Sequence, residues 1–401
     1  LSHHLNHGII SLLKTRDQQP KQLHTKKMMF LNRIIHRGNK RPLKALQVEV
    51  TSRCTRSCVV CPRSIFKNRW REGDLDEALW KVLEPDLSLV EYVYLQGWGE
   101  PLLHPALPRW ARAAGKAGCK VGLTTNGEGL HDALDWLKEG NVDLVTVSVA
   151  GNERINRDLR DGLELGRALE AAGELVQLAR RMSLKTKVQL SYLLTRQGAS
   201  SVSAVVEMAA RFSLDAFFII HLDCRPSRSL RELSAFSEVG LSEGISGYLG
   251  EAEKTAERMG ISYRGPALYA EEVLTCALDP LRFAFLSWDG RIGPCVNLLL
   301  PIEGSIPRWG ETEKIRVEPV YYGHLGEERL SVLLSSESRR RFTTPFRERL
   351  NAERTFLSSL ELGSGSQALG KLEKADEVRN AELISNAFPD ACEACPKKLG
   401  W

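Results

Sequence analysis

No apolar run in these 401 residues approaches the roughly 18–20 that a bilayer-spanning helix needs, which excludes a helical membrane span. The opening segment, Leu1 to Pro20, mixes histidines with a short Ile9-Ile10-Ser11-Leu12-Leu13 patch. It lacks the cationic start, apolar centre and small-residue end of a secretion signal. The expectation is a soluble, cytoplasmic protein. Acidic residues are scarce at the start: residues 1–45 hold ten Lys/Arg and one acid, Asp17, hence +9, together with five histidines. The other 356 residues hold 45 Lys/Arg and 49 acids, hence −4. The basic arm is expected as a solvated extension, with contact to an acidic partner, a nucleic acid or a membrane surface as the alternative. It does not interleave aromatic and basic residues as a single-strand nucleic-acid groove does, so nucleic acid is not the expected partner.

What the chain does have is length for one large core and a smaller second one, and a regular alternation of strand-like and helix-like segments. Short β-branched or apolar runs occur at 46–51, 92–97, 120–126, 144–150, 185–195 and 216–221. Helical stretches at 74–85, 105–118, 130–138, 162–182 and 201–212 fall between them. Six strands separated by helices imply a parallel sheet with helices outside, an α/β partial (β/α)6 TIM-like barrel. Residues 225–260 read as helical and charged, closing a domain that spans 46–260. From about Ile261 the alternation stops and a smaller C-terminal domain, 261–401, begins; the cysteines it holds at 276, 295, 392 and 395 make an Fe–S cluster domain the expectation. Within it, residues 350–382 read as a loose or helical insertion.

Nine cysteines occur, at 54, 58, 61, 119, 224, 276, 295, 392 and 395. The odd count and tight grouping exclude a secreted disulfide framework, and seven of the nine have ligand-like spacing. Cys54, Cys58 and Cys61 place three thiolates within eight residues just after the first strand. Soft thiolates suit iron–sulfur clusters or zinc. Three ligands on a four-iron cube leave one iron open to a substrate or cofactor, and no fourth ligand follows at zinc-finger spacing. Chemistry in such folds belongs at the C-terminal strand ends. Trp98-Gly99-Glu100-Pro101, Thr125-Asn126-Gly127 and Ser148 all follow or end strands there. Cys276, Cys295 and the Cys392–Cys395 pair together supply four further metal positions, for a second cluster or for structural zinc. Phe285 to Gly290 between the first two reads as a hairpin turning on Asp289-Gly290. Cys119 and Cys224 have no partners at ligand spacing and read as small buried groups.

The C-x3-C-x2-C loop resembles that of the radical S-adenosylmethionine (SAM) superfamily. The resemblance implies a [4Fe–4S] cluster on Cys54, Cys58 and Cys61, with SAM bound at the open iron through its methionine amino and carboxylate groups. It implies reductive SAM cleavage to a 5′-deoxyadenosyl radical that removes a hydrogen atom from the substrate. Val60 stands where the family usually has an aromatic near the adenine. Trp98-Gly99-Glu100-Pro101 resembles the family's Gly-Gly-Glu-Pro, which implies that Trp98, Gly99 and Glu100 hold the methionine amino group through backbone carbonyls and a carboxylate; Trp98 replaces the first glycine. By the same analogy Ser148, and Gln189 or Ser191, bind the ribose and carboxylate. Cys224, just after the sixth strand, is the candidate proton or hydrogen-atom donor. The C-x13-G-x4-C stretch from Cys276 to Cys295, with Gly323 to Gly326 beyond it, resembles the start of the SPASM auxiliary-cluster domain. That domain has seven or so cysteines, whereas four are found here; the resemblance therefore implies a shortened version with one fully ligated [4Fe–4S] cluster that relays electrons.

In wording, Leu95 to Leu102 with Thr124 to Gly127 and Ser148 to Gly151 resemble the branch held to modify the cofactor of tungsten-containing aldehyde oxidoreductases. The expected function is radical modification of a peptide, protein side chain or small cofactor precursor by an oxidoreductase or maturase. A reductant such as a flavodoxin or ferredoxin is the implied partner. A non-catalytic iron–sulfur carrier or metal-binding scaffold is the competing reading, and it requires closed ligation of both clusters.

Overall fold

The computed structural model of the chain describes residues 41–237, 240–310, 314–360 and 366–400. The basic arm, apart from residues 41–45, lies outside them. Strands β1 (Leu43–Val48), β2 (Val90–Leu95), β3 (Lys120–Thr125), β4 (Leu144–Val149), β5 (Lys187–Leu194) and β6 (Ala216–His221) pair in sequence order, all parallel. The order and direction match the α/β partial-barrel expectation.

The alternation along each strand explains why. In β5, Val188, Leu190, Tyr192 and Leu194 are fully buried on one face. They join a core built with outer helices such as Leu165–Arg181, which buries Leu165, Ala168, Leu169, Ala172, Leu175 and Val176 at helical spacing. Burying each such leucine contributes about 1.5–3 kcal/mol. The opposite face is polar: Thr124 of β3 is in register with Thr146 of β4, and Thr146 with Gln189 of β5. Side chains there bond to one another, Thr124 to Gln96 at 2.5 Å and Gln189 to Thr146 at 2.9 Å. A parallel sheet with one apolar and one polar, hydrogen-bonded face leaves the polar face to line an interior.

The first strand begins three residues earlier than its sequence pattern suggests. Lys44 donates its main-chain N–H to the Arg282 carbonyl, while Thr51 leaves the sheet for an isolated bridge to Asp74. Residues 225–260 are not one helical run. Helix Arg228–Leu233 is capped by the Ser227 hydroxyl, and a small hairpin of β7 (Phe236–Ser237) and β8 (Gly240–Leu241) follows. Gly244, at φ 78°, then opens helix Ile245–Met259.

The larger difference lies beyond Ile261, where the sheet does not stop. Strand β9 (Ser262–Arg264) adds parallel to β6, and β10 (Phe283–Leu286) adds parallel to β1 on the far edge. Strand β11 (Arg291–Gly293) turns back antiparallel through Asp289-Gly290, with Gly290 at φ 91° as the hairpin reading requires. A separate ribbon of β12 (Ile306–Trp309) and β13 (Lys314–Val317) follows, and β14 (Gly323–His324) completes the edge against β11. The central sheet therefore has ten strands, in the order β14-β11-β10-β1-β2-β3-β4-β5-β6-β9. The stretch read as an insertion belongs to two helices, Glu337–Leu360 and Ser366–Ser385, which pack against each other.

No helix among the described residues is long and apolar enough to cross a membrane.

Candidate functional site

The loop that follows β1 carries Cys54, Cys58 and Cys61, all partly exposed. Cys61 opens a one-turn helix, Pro62–Ile65, and its N–H donates to the Cys58 carbonyl at 3.1 Å. Two carboxylates from the segments that follow β3 and β4 pin the loop. Glu128, after β3, accepts from the Thr55 hydroxyl at 2.6 Å and from both arms of the Arg56 guanidinium. Asp161, after β4, accepts from the Ser57 N–H at 2.8 Å. Burial raises the Cys54 thiol and pushes Cys61 up to about 12, with the neighbouring cysteines adding to each. Both are therefore neutral thiols until a metal displaces their protons. Val60 is buried with Ala150, Ile155, Leu159 and Leu222, and Cys58 packs against that apolar group.

The Trp98–Pro101 segment, after β2, lies directly against this loop. Glu100 donates its N–H to the Arg53 carbonyl at 2.8 Å. The carboxylate expected to meet a methionine amino group is already engaged. Its oxygens accept from the N–H of Asn126 at 2.7 Å and of Leu102 at 3.2 Å, and burial holds its pKa above the usual range. Glu100 thus caps a 3-10 turn and ties it to the end of β3. Among the described hydrogen bonds, none uses the carbonyls of Trp98 or Gly99. Asn126 is a turn former: its side-chain oxygen accepts from the Glu128 N–H. Ser148 and Ser191 stand in register on β4 and β5. The Ser148 hydroxyl accepts from Arg160, and Gln189 bonds Thr146. His104, packed at a tilt against Trp110 and bonded to the main chain, is structural.

Glu49, at the end of β1, gave no signal in the sequence. It is fully buried. Its two oxygens accept main-chain N–H bonds from Trp98 at 2.9 Å and Trp288 at 3.3 Å, so one side chain holds the ends of β2 and β10 to β1. Burial pushes its pKa up to about 8, against the pull of those two N–H groups. A raised acid stabilises the fold fully below the unfolded value of 4.5, and that contribution is lost as pH rises through about 8. At about 1.4 kcal/mol per tenfold, the full loss is on the order of 5 kcal/mol. The melting temperature is expected to fall across that window, and Glu49→Gln to flatten the fall. An unchanged slope in the variant would show that Glu49 does not titrate there.

Cys276, Cys295, Cys392 and Cys395, distant in sequence, line a single cavity with Leu278, Pro280, Phe342, Phe346, Phe388 and Lys397. Burial pushes Cys276 up to about 11 and Cys295 to about 12. Among the described residues, no three His, Cys, Asp or Glu side chains are drawn together as a single metal ion requires; the four cysteines stand around a space. Helix Glu337–Leu360 supplies Phe342 and Phe346 to this wall. Its buried Arg349 bonds the carbonyls of Val273, Leu274 and Leu383, pairs with Glu272 at 2.6 Å, and stacks over Phe388. That one side chain staples the segments leading to Cys276 and Cys392. Cys224 is buried with Phe66, Leu300, Ile302 and Ile306, with Trp98 against them. Burial pushes its thiol up to about 12, and both Cys61 and Cys395 lie within electrostatic reach. Cys119 is a core group whose thiol bonds the Leu87 and Val90 carbonyls.

Residues 48–205 match the family model of the radical SAM superfamily. The chain carries a radical SAM domain. Such a domain works with a [4Fe–4S] cluster and SAM, and its bearers are enzymes. Over 306 residues, 74% of this chain and 82% of the relative, it is 26% identical to the tungsten-containing aldehyde ferredoxin oxidoreductase cofactor-modifying protein of Pyrococcus furiosus. Two solved structures share the fold. Streptococcus suis SuiB bound to SAM gives a TM-score of 0.54 at 11% identity, covering 82% of this chain and 74% of that one. Native anSMEcpe with bound SAM and Cp18Cys peptide gives 0.53 at 15% identity, covering 86% and 98%.

Proposed function

We propose that the chain is a radical SAM oxidoreductase or maturase. In this reading Cys54, Cys58 and Cys61 hold the SAM-cleaving cluster, and Cys276, Cys295, Cys392 and Cys395 hold an auxiliary [4Fe–4S] cluster that relays electrons. The observation that carries it is the three-thiol loop at the C-terminal edge of a parallel sheet, pressed against Trp98–Glu100 and opening on a polar interior. When bound, the cluster and SAM supply a 5′-deoxyadenosyl radical. The chain's own residues bind, orient and exclude water. The Trp98 and Gly99 carbonyls would hold the methionine amino group, and Glu49 and Glu100, whose carboxylates bond main-chain N–H groups, would fix the loop that carries those carbonyls. Ser148, Gln189 and Ser191 are the polar groups for its ribose and carboxylate. Cys224, with its thiol so hard to ionise, is suited to giving a hydrogen atom rather than a proton.

Four cysteines spaced around a cavity suit a four-iron cluster better than one zinc ion. The substrate class is a peptide, protein side chain or cofactor precursor, in keeping with the cofactor-modifying relative and the peptide-bound neighbour. A flavodoxin or ferredoxin is the proposed reductant. Anaerobic reconstitution followed by metal analysis and reduction with SAM tests the reading. About eight irons per chain, as two four-iron clusters, together with 5′-deoxyadenosine are expected. About four irons and one zinc would make the C-terminal centre structural, and no 5′-deoxyadenosine would refute the enzyme.

A further inference from the structure

Beside the C-terminal cysteine cavity lies a charge that the protein itself does not balance. Arg308, on β12, is 2% exposed. Its Nη2 donates to the Asn297 carbonyl, and its Nε is buried with no partner. Among the described residues, no carboxylate forms an ion pair with it. A nearby acid, Asp223, favours the Arg308 charge but is shared with a second cation: its Oδ2 accepts from Lys397 Nζ at 2.9 Å and from the Asn297 amide at 3.2 Å. Asn297 and Lys397 are both part of the cavity wall. Two cations and one carboxylate are therefore gathered at the cysteine centre.

A buried cation without a counter-charge is strongly unfavourable. The remaining groups that favour the Arg308 charge are cysteines, namely Cys224, Cys395 and Cys295. As neutral thiols they cannot offset it. Deprotonated by metal they can, since a four-thiolate centre is anionic overall.

We infer that Arg308 is the counter-cation of the Cys276–Cys295–Cys392–Cys395 centre and sets its reduction potential. This rests on the reading of those cysteines as an auxiliary-cluster site. Positive charge beside a cluster favours its reduced, more negative state, so the Arg308–Asn297–Asp223–Lys397 chain tunes how readily the centre accepts an electron.

The test uses the full chain with Cys54, Cys58 and Cys61 changed to alanine, so that only the C-terminal centre reports. Iron and sulfide are counted, and the midpoint potential is followed by electron paramagnetic resonance. Arg308→Met is expected to load iron and to move the potential to more negative values, and Arg308→Lys to hold the parent value. Asp223→Asn, which removes a negative charge, is expected to move it the other way. Opposite shifts mark an effect of charge, because packing damage would not reverse sign. Parent-like potentials in both Arg308→Met and Asp223→Asn, or shifts in the same direction, would overturn the inference. Zinc, or no iron, in the parent would instead remove the auxiliary-cluster reading, and the role of Arg308 with it.

Discussion

Cys58→Ala is expected to abolish 5′-deoxyadenosine formation and the spectral response of the first cluster to SAM. Cys58 is the middle donor of a loop held on both sides, by Glu128 through Thr55 and Arg56 and by Asp161 through Ser57. Those clamps lie outside the thiol set, so the loop keeps its shape when one thiol is lost. A cube of four irons is then left with two protein ligands and cannot present one defined open iron. The C-terminal centre should keep its own iron, about four per chain, which separates loss of a ligand from loss of fold. Product formation surviving in Cys58→Ala would sink the assignment of the loop.

Gly99→Ala should be nearly as damaging without removing any ligand. A Cβ at this position would lie 2.4 Å from the Thr51 carbonyl oxygen and 2.5 Å from that of Arg53. Both are backbone atoms of the cysteine loop, so no side chain can swing aside. The loop after β2 must retreat, taking the Trp98 and Gly99 carbonyls with it. A displacement of about 1 Å at a reacting centre costs on the order of 100-fold in rate. We expect a loss of about that size in SAM cleavage, with iron content unchanged. Gly115→Ala is the control, since nothing lies within 4 Å of the added methyl. Equal rates for the two variants would show that the close approach at Gly99 does not matter.

The six-strand frame and the first cysteine loop were legible because both are local signals. Outward residues such as Val145, Val147 and Val149 recur every second position, and three cysteines within eight residues need no fold to be noticed. Pairing across the chain left no such mark. Strand β10 is only Phe283-Ala284-Phe285-Leu286, buried on both faces, and nothing local says that its neighbour is β1, far earlier in the chain. Residues 350–382 looked like an insertion because of their Leu-Gly-Ser-Gly-Ser-Gln stretch and mixed charge, whereas their first part continues a helix that starts at Glu337 and is anchored by buried Arg349 through five hydrogen bonds. Glu49 was hidden for the same reason: a carboxylate at a strand end is ordinarily exposed, and only the ends of β2 and β10 closing over it make it a core residue. Glu100 was found by its motif, but the bonds its carboxylate makes depend in part on Asn126, in the turn after another strand.

The place of β10 beside β1 bears on modularity. The matched stretch, 48–205, begins at the last residue of β1 and ends before β6, so its borders cut through a continuous sheet. Without β10, the N–H and C=O groups along one side of β1 would face solvent as a bare edge, the kind that recruits other chains. Glu49 would lose the Trp288 half of its grip at the same time. What reads in sequence as an appended cluster module is, in three dimensions, the closing edge of the barrel. The catalytic half is therefore not a portable cassette; grafting a different C-terminal region onto it would have to supply a strand as well as cysteines.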